Sequence, residues 1–387
     1  MSVIVITIFL FVIYAFLIVY YRQSWLQIPN GNEQFEMNGK PSTLISVIIP
    51  ARNEEENIGV CLESVTSQSY PKHLFEVIVV DDLSTDRTAE IVTSFVDKNV
   101  SLISLKDFTK EGQLNSYKKK AIEIAISKAK GKLIVTTDAD CIVPTKWLET
   151  IAAFYEKHDP VFIAAPVAYF PSPAGEGLGV RFLKIFQSLD FMTLQGITGA
   201  SVYKKFHSMC NGANLAYEKK VFLEVGGFTG IDNIASGDDM LLMHKIFSSY
   251  PDKVLFLKSN YAIVQTKPAN TLREFFNQRI RWASKADKYS DKKITGVLLL
   301  VYLFNVWILL LGLLSVFYHQ VFLWFIGTLI AKTLVELFFL YPVSKFFEKQ
   351  RVLWWFPVAQ PFHILYTIIA GWLGKFGSYK WKERKVK

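Results

Sequence analysis

The chain has 387 residues, 51% of them apolar and 15% aromatic, and its mean hydropathy is positive, a profile rare in soluble domains. The length allows one large domain or two ordinary ones. The formal net charge is +9, but no zinc-finger or RNA-binding signature accompanies it, so the basic residues are assigned to membrane-flanking segments and anionic lipid and not to nucleic acid. Three cysteines, Cys61, Cys141 and Cys210, fit no metal or disulfide framework. They read as reduced thiols of a cytosolic compartment, with no zinc site.

Val3 to Tyr21 are almost wholly apolar and uncharged, close to the ~20 residues that span a bilayer. The segment lacks the basic start and small-residue cleavage site of a signal peptide, which predicts an uncleaved anchor over residues 1–22. Residues 23–42, with Pro29, Gly31, Gly39 and Pro41, read as a linker. Over 43–267 short β-branched runs (Ile45–Pro50, Phe75–Val80, Lys132–Thr136, Val161–Ala165) alternate with helical patterns (Glu55–Gln68, Thr85–Val96, Lys118–Lys130). That alternation predicts an α/β domain, Rossmann-like, with a mainly parallel sheet, helices on both faces and a ligand at the carboxyl ends of the strands. Pro166 to Asn214, rich in Gly and Pro, reads as an irregular surface region containing an amphipathic segment, Leu178–Gln195.

Residues 268–293 predict an interfacial amphipathic helix, Thr271–Lys288, with Leu272, Phe275, Phe276, Ile280 and Trp282 among basic residues. Residues 294–375 hold three long apolar segments, Thr295–Phe317, Val321–Val343 and Val352–Leu373. Pro357 and Pro361 offer the last an alternative as a re-entrant or interfacial piece, so two to three spans are expected here. Lys332 and Glu336 share a helix face and are expected to form a structural ion pair. With the α/β domain in the cytosol, Arg22, Lys345, Lys349 and Arg351 lie inside. Three full spans would then put the basic tail, 376–387, outside; the sequence leaves its side open.

The stretch Val135-Thr136-Thr137-Asp138-Ala139-Asp140-Cys141 ends an apolar strand on two carboxylates, and strand alternation would send both to one side. Unpaired in a sheet core they would cost several kcal/mol each. At the mouth of a sheet they can share a divalent cation, and hard oxygen ligands with a substrate phosphate suit Mg²⁺ or Mn²⁺. The strand ending at Val80 runs into Asp81-Asp82, and the one ending at Pro50 into Ala51-Arg52-Asn53-Glu54, so three strands deliver polar groups to one edge.

With these elements in order, the chain resembles a membrane-bound glycosyltransferase of family 2 with the nucleotide-sugar-binding GT-A fold. The resemblance rests on SVIIPARNEE (Ser46–Glu55), VVDDLSTDRT (Val79–Thr88), TTDADC (ending at Cys141), NGANLAY (Asn211–Tyr217) followed by GGF, SGDDMLL (Ser236–Leu242) and QRIRW (Gln278–Trp282), and covers roughly Leu44 to Trp282. It implies that Pro50, Arg52 and Glu54 line the base and ribose, with Asp81 and Asp82 beside them and Asp82 accepting from the base. The alternative for Asp82 is a helix cap. It puts Asn211, Gly212 and Asn214 on the donor too, and Lys118, with Lys119 and Lys120, near the diphosphate, a solvated helix face being the other reading. Asp138 would sit near ribose or metal and Asp140 on the metal; two solvated acids in a turn are the alternative.

Asp238 and Asp239 fill the family's Glu-Asp position, the first departing from the commoner Glu; Asp239 would be the base, a role compatible with capping a helix. Gln278, Arg281 and Trp282 would serve the diphosphate and the acceptor, or else be interfacial residues. The resemblance implies an inverting, metal-dependent transfer from a nucleotide sugar, UDP-linked hexose or N-acetylhexosamine, to a lipid or lipid-linked glycan at the cytoplasmic membrane face. The alternatives are a processive polysaccharide synthase of the poly-N-acetylglucosamine type and a non-catalytic membrane scaffold.

Overall fold

Ile45, Val47, Ile48 and Ile49 are all fully buried, as a strand covered on both faces requires. They belong to β1 (Ile45–Ala51), which pairs in parallel with β2 (Phe75–Asp81) on one side and β4 (Leu133–Thr136) on the other. β3 (Val100–Ser104) extends the sheet in parallel beyond β2. On the far side β7 (Leu215–Glu218) runs antiparallel between β4 and β5 (Phe162–Ala164), and β8 (Val254–Phe256) closes the order β3-β2-β1-β4-β7-β5-β8. β6 (Val167–Tyr169) and β9 (Val264–Thr266) form a separate parallel pair. The computed structural model describes residues 2–31, 40–109, 115–171, 177–207, 209–234, 236–285, 289, 291–377, 379–381 and 384–386.

Because β1, β2 and β4 are parallel, their carboxyl ends fall on one edge, and antiparallel β7 begins there. Thr136 is opposite Leu215, so the loop Asn211–Asn214 enters the sheet where the Asp-x-Asp segment leaves it. Helices α2 (Ile58–Thr66), α3 (Thr88–Thr93), α4 (Tyr117–Lys128) and α5 (Trp147–His158) follow the strands. β3 and α5 have no counterpart among the expected elements. In α5, Trp147, Leu148, Ile151, Phe154 and Tyr155 are buried at helical spacing, so the packing face was present in the sequence. These elements, with α7 (Lys219–Glu224) and α8 (Met240–Ser249), form one compact unit, Pro29–Phe170 and Ser208–Lys267.

The second unit comprises Met1–Ile28, Pro171–His207 and Pro268–Lys387. Its helices are α1 (Ser2–Gln27), α6 (Leu178–Tyr203), α9 (Leu272–Ala283), α10 (Lys292–Phe317), α11 (His319–Phe346) and α12 (Phe356–Phe376). Among the described residues four segments are long and apolar enough to cross a membrane: Val3–Gln27, Lys292–Phe317, His319–Phe346 and Gln350–Phe376. α1 runs past the expected anchor into the expected linker, and Trp25 is buried edge-on against Phe346, 5.4 Å between ring centroids. The rest of that linker from 32 to 39 lies outside the described residues, as do residues 378, 382, 383 and 387 of the basic tail.

The amphipathic segment Leu178–Gln195 is helical, and beyond it, to Tyr203, the structure corrects the reading of an irregular surface. α6 is a continuous helix and belongs to the unit of the apolar helices. Gly196 serves close packing: a Cβ there would stand 2.7 Å from Val343 and 2.9 Å from Phe339. The prolines of the last segment also leave a helix intact. Pro357 falls in the first turn of α12, where no N–H is needed, and Pro361 is carried inside it. Lys332 and Glu336 pair at 2.7 Å, Lys332 also donates to Gln360 Oε1 at 2.9 Å, and Tyr14 donates to Glu336. The charges are thus satisfied by side chains of α1, α11 and α12, as a buried pair requires.

Candidate active site

Two loops at the sheet edge are laced together. After β1, Asn53 takes a left-handed backbone at φ 51°, and after β2 Leu83 does so at φ 56°, a strained choice for leucine. Thr85 N donates to Asn53 Oδ1 at 2.9 Å, Asn53 N to Ser84 Oγ at 3.0 Å, and Glu54 N to Thr88 Oγ1 at 2.8 Å. Buried Arg52 donates to the Asp82 carbonyl at 2.8 Å, with the Asp82 carboxylate 3.9 Å away. Arg52 therefore holds the second loop in place. Asp82 caps no helix: α3 starts after Arg87, so the capping alternative is set aside. Asp81 accepts from Ser84 N at 3.4 Å, and Glu54 accepts from Asn57 Nδ2 at 2.7 Å. Pro50, half-buried in β1, lies opposite Val80.

β4 ends at Thr136, so Asp138 and Asp140 do not end a strand, and period-two alternation does not govern them. They lie in a turn closed by Cys141 N donating to the Asp138 carbonyl at 3.2 Å. Asp138 Oδ1 accepts from Lys118 Nζ at 2.8 Å, while Asp140 Oδ2 accepts from Thr266 Oγ1 at 3.2 Å. Two buried thiols brace the turn: Cys61 Sγ is 3.7 Å from the Asp138 carbonyl and Cys141 Sγ 3.6 Å from Asp140 Oδ1. Burial, then the charges of Asp140 and Asp138, push both thiols well up, so they stay protonated and donate.

Lys118 also reaches Asp238 Oδ2 at 3.2 Å, joining the Asp-x-Asp turn to the start of α8. Burial alone would lower the pKa of Lys118, but the carboxylates of Asp138 and Asp238 outweigh it and raise the pKa, keeping the ammonium charged. Asp239 is the N-cap of α8: Oδ1 accepts from Met240 N at 2.7 Å and Oδ2 from Gly212 N at 3.1 Å. A Cβ on Gly212 would lie 3.5 Å from Asp238, Asp239 and Lys118 alike, so this glycine is the floor of the cluster. Asn211 Oδ1 accepts from Ala213 N at 3.0 Å and shapes the loop.

Asn214 departs from its expected donor role. It is 0% exposed, and its amide is taken up by Pro166 O, Ala262 O and Trp147 Nε1, so it fixes the scaffold beneath the loop.

Successive residues of α4 point in different directions, and its lysines divide accordingly. Lys118 faces the acids, and Lys120 pairs with Glu123 on the surface at 2.9 Å. Lys119 is buried and donates to the carbonyls of Ile231, Ile234 and Ser236 at 2.7, 2.6 and 3.1 Å, pinning the segment before Asp238. Lys119→Met would leave those carbonyls without their ammonium, at a cost of about 2–3 kcal/mol. We expect a thermal midpoint in detergent several degrees below that of the parent; an unchanged midpoint would contradict this role.

Gln278, Arg281 and Trp282 belong to the other unit, on α9. Thr271 caps that helix by accepting from Glu274 N at 3.2 Å, and Glu274 reaches back to accept from Asn270 N, one residue before the cap, at 3.0 Å. Phe275 was expected near lipid but is fully buried, edge-on to Phe186 at 5.6 Å and Tyr366 at 5.3 Å. The expected end of this helix, Lys288, lies outside the described residues. Arg281 and Trp282 are half-buried.

The model of glycosyl transferase family 2 matches residues 46–226, spanning the two laced loops, the Asp-x-Asp turn and the Asn211–Asn214 loop. Residues 46–226 are thus similar to glycosyl transferase family 2. Asp238, Asp239 and α9 lie beyond the matched residues. The chain is 41% identical over 105 residues to glycosyltransferase AglE of Haloferax volcanii, covering 27% of this chain and 33% of AglE. It is 30% identical over 113 residues to the Methanococcus voltae dolichyl N-acetyl-α-D-glucosaminyl phosphate 3-β-D-2,3-diacetamido-2,3-dideoxy-β-D-glucuronosyltransferase, covering 29% of this chain and 34% of that one. The matches thus span about a third of each relative. The mannosyltransferase PcManGT from Pyrobaculum calidifontis, solved with GDP-Man and Mn²⁺, shares the fold with a TM-score of 0.53 at 16% identity, covering 96% of this chain and 97% of that one. The α/β unit thus has a GT-A-type sheet.

The acids of this domain suit a divalent cation in type. Asp138 and Asp140 offer hard oxygens in one turn, and the Asp138 side chain keeps 37% of its surface exposed. Among the described residues no group of three or more His, Cys, Asp or Glu could hold a metal, so a cation here would take further ligands from water and substrate phosphate. Sequence reasoning placed Lys119 near the diphosphate and not on the segment before Asp238, and it missed Thr266 and Arg279. Lys119 had a signal, a cation inside the buried stripe of Tyr117, Ala121 and Ile122. Arg279 had one as the first of the two arginines of QRIRW. Thr266 had none.

Proposed function

We propose that this chain is an inverting, metal-dependent glycosyltransferase that moves a sugar from a nucleotide sugar, a UDP-linked hexose or N-acetylhexosamine, to a lipid or lipid-linked glycan at the cytoplasmic membrane face. The observation that carries this reading is the Lys118 bridge, which gathers Asp138, Asp238 and, across Gly212, Asp239 into one cluster. A structural turn alone has no need of three acids around one lysine. The laced loops after β1 and β2 would hold the nucleoside, with Asp82 accepting from the base and Pro50, Arg52, Glu54 and Asp81 shaping the pocket. Asp138 and Asp140 would hold Mn²⁺ or Mg²⁺, which when bound offsets the charge of the leaving nucleoside diphosphate. Lys118 would add a fixed positive charge beside that group. Asp239 would take the proton of the acceptor hydroxyl as its oxygen attacks the anomeric carbon.

The lipid acceptor is supported by the four helices, among the described residues, long enough to cross a membrane and by the dolichyl phosphate substrate for which the M. voltae relative is named. Arg281 would grip phosphate, and Trp282, one turn from Gln278, would stack on the acceptor sugar. Trp282→Ala is expected to lower transfer while sparing nucleotide binding; equal loss of both would remove the acceptor role. Screening the detergent-purified chain with Mn²⁺ against UDP-glucose, UDP-galactose and UDP-N-acetylglucosamine tests the reading. Donor turnover is expected with at least one of them, and turnover with none would favour a non-catalytic scaffold.

A further inference from the structure

Arg279 is neither the glutamine, the arginine nor the tryptophan to which the QRIRW element owes its roles above, yet it is the residue of that element with the most defined surroundings. Its side chain and that of Asp190 on α6 are each 4% exposed and pair at 2.6 Å. Tyr366 on α12 donates to the other oxygen of Asp190. The guanidinium then does two further things. Nη1 donates to Gln278 Oε1 at 3.2 Å, and the cationic plane lies over Trp282, 4.2 Å from the ring centroid. Its other aromatic neighbour is Phe275 at 4.8 Å. Trp282 is also flanked by Phe191, 6.2 Å away between centroids and, like Asp190, on α6.

A buried ion pair that only bolted α9 to α6 could be replaced by apolar side chains at little cost. This one touches both Gln278 and Trp282, which stand one helical turn apart and whose rotamers the helix itself does not fix. A planar guanidinium can donate in its plane and stack through its face at once; a lysine ammonium cannot. We infer that Arg279, anchored by Asp190, is a positioning residue that sets the Gln278 amide and the Trp282 ring in the orientation in which they receive the acceptor. The inference rests on the acceptor role proposed above for Trp282.

The test uses the purified chain in detergent, with the UDP-sugar that the donor screen returns and a total membrane lipid extract as acceptor. Transfer to lipid and release of UDP to water are measured side by side. Arg279→Lys keeps the charge but loses the planar fork. It is expected to lower transfer on the order of 10²-fold, as displacement of a positioned group by about an ångström does, with donor KM and UDP release to water unchanged. Combined with Trp282→Ala, it should lower transfer no further than Trp282→Ala does alone. Should Arg279→Lys fail to accumulate, Asp190→Asn takes its place, since it keeps the volume and can still accept from Tyr366 while losing the charge that holds the guanidinium. Transfer at the parent rate, a parallel fall in transfer and UDP release, or fully additive losses in the double variant would each overturn the inference. If Trp282→Ala itself leaves transfer unchanged, the acceptor role of Trp282 falls, and this inference with it; if only Arg279→Lys is silent, the acceptor role stands and the inference alone fails.

Discussion

Asp239→Asn is expected to leave nucleotide-sugar binding near normal and to slow transfer by about 10²- to 10⁴-fold, the usual cost of losing a general base. The substitution keeps the shape of the side chain. An amide can still accept from Met240 N or from Gly212 N, though not from both as the carboxylate does. Some loosening at the start of α8 is therefore anticipated, but the decisive change is chemical: the amide takes no proton from an acceptor hydroxyl. Single-turnover transfer and donor binding, measured on the same preparation, separate the two effects. Unchanged turnover would move the base to Asp238, whose carboxylate stands 3.2 Å from Lys118.

Asp140→Ala is expected to abolish activity, and EDTA should do the same to the parent chain, with recovery on adding Mn²⁺ or Mg²⁺. Asp140 is held by Thr266 Oγ1 and the Cys141 thiol, so its carboxylate is placed before any ligand arrives. A methyl group there leaves Asp138 as the remaining carboxylate of the turn, and Asp138 already shares an oxygen with Lys118. The charge of the nucleoside diphosphate would then go uncompensated. Full activity in EDTA would show that the turn holds no required cation.

Much of the sheet edge was legible because its signals are local. β-branched runs ending in acids marked β1, β2 and β4, and their parallel order put Arg52, Asp82 and Asp138 at one edge. β3 was not legible: five residues with a half-buried, partly polar pattern give no clear period. The antiparallel entry of β7 is a matter of topology, which strand composition does not encode. Within the site, Asp239 as helix cap followed from the sequence, but the fate of Asn214 did not, since its buried amide is committed by Trp147, Pro166 and Ala262, distant in the chain. The last part of α6, beyond Gln195, was obscured because glycine suggests a loop to a local reading, whereas Gly196 lets the helix approach another closely. Phe275 looked lipid-facing for a related reason: helical periodicity identifies an apolar face but not what covers it, and here Phe186 and Tyr366 do.

The purified chain, given radiolabelled donor, Mn²⁺ and a membrane lipid extract, is predicted to yield a product that partitions into organic solvent and carries one added hexose or N-acetylhexosamine. A long water-soluble polymer formed from donor alone would contradict single transfer to a lipid and point to a processive synthase.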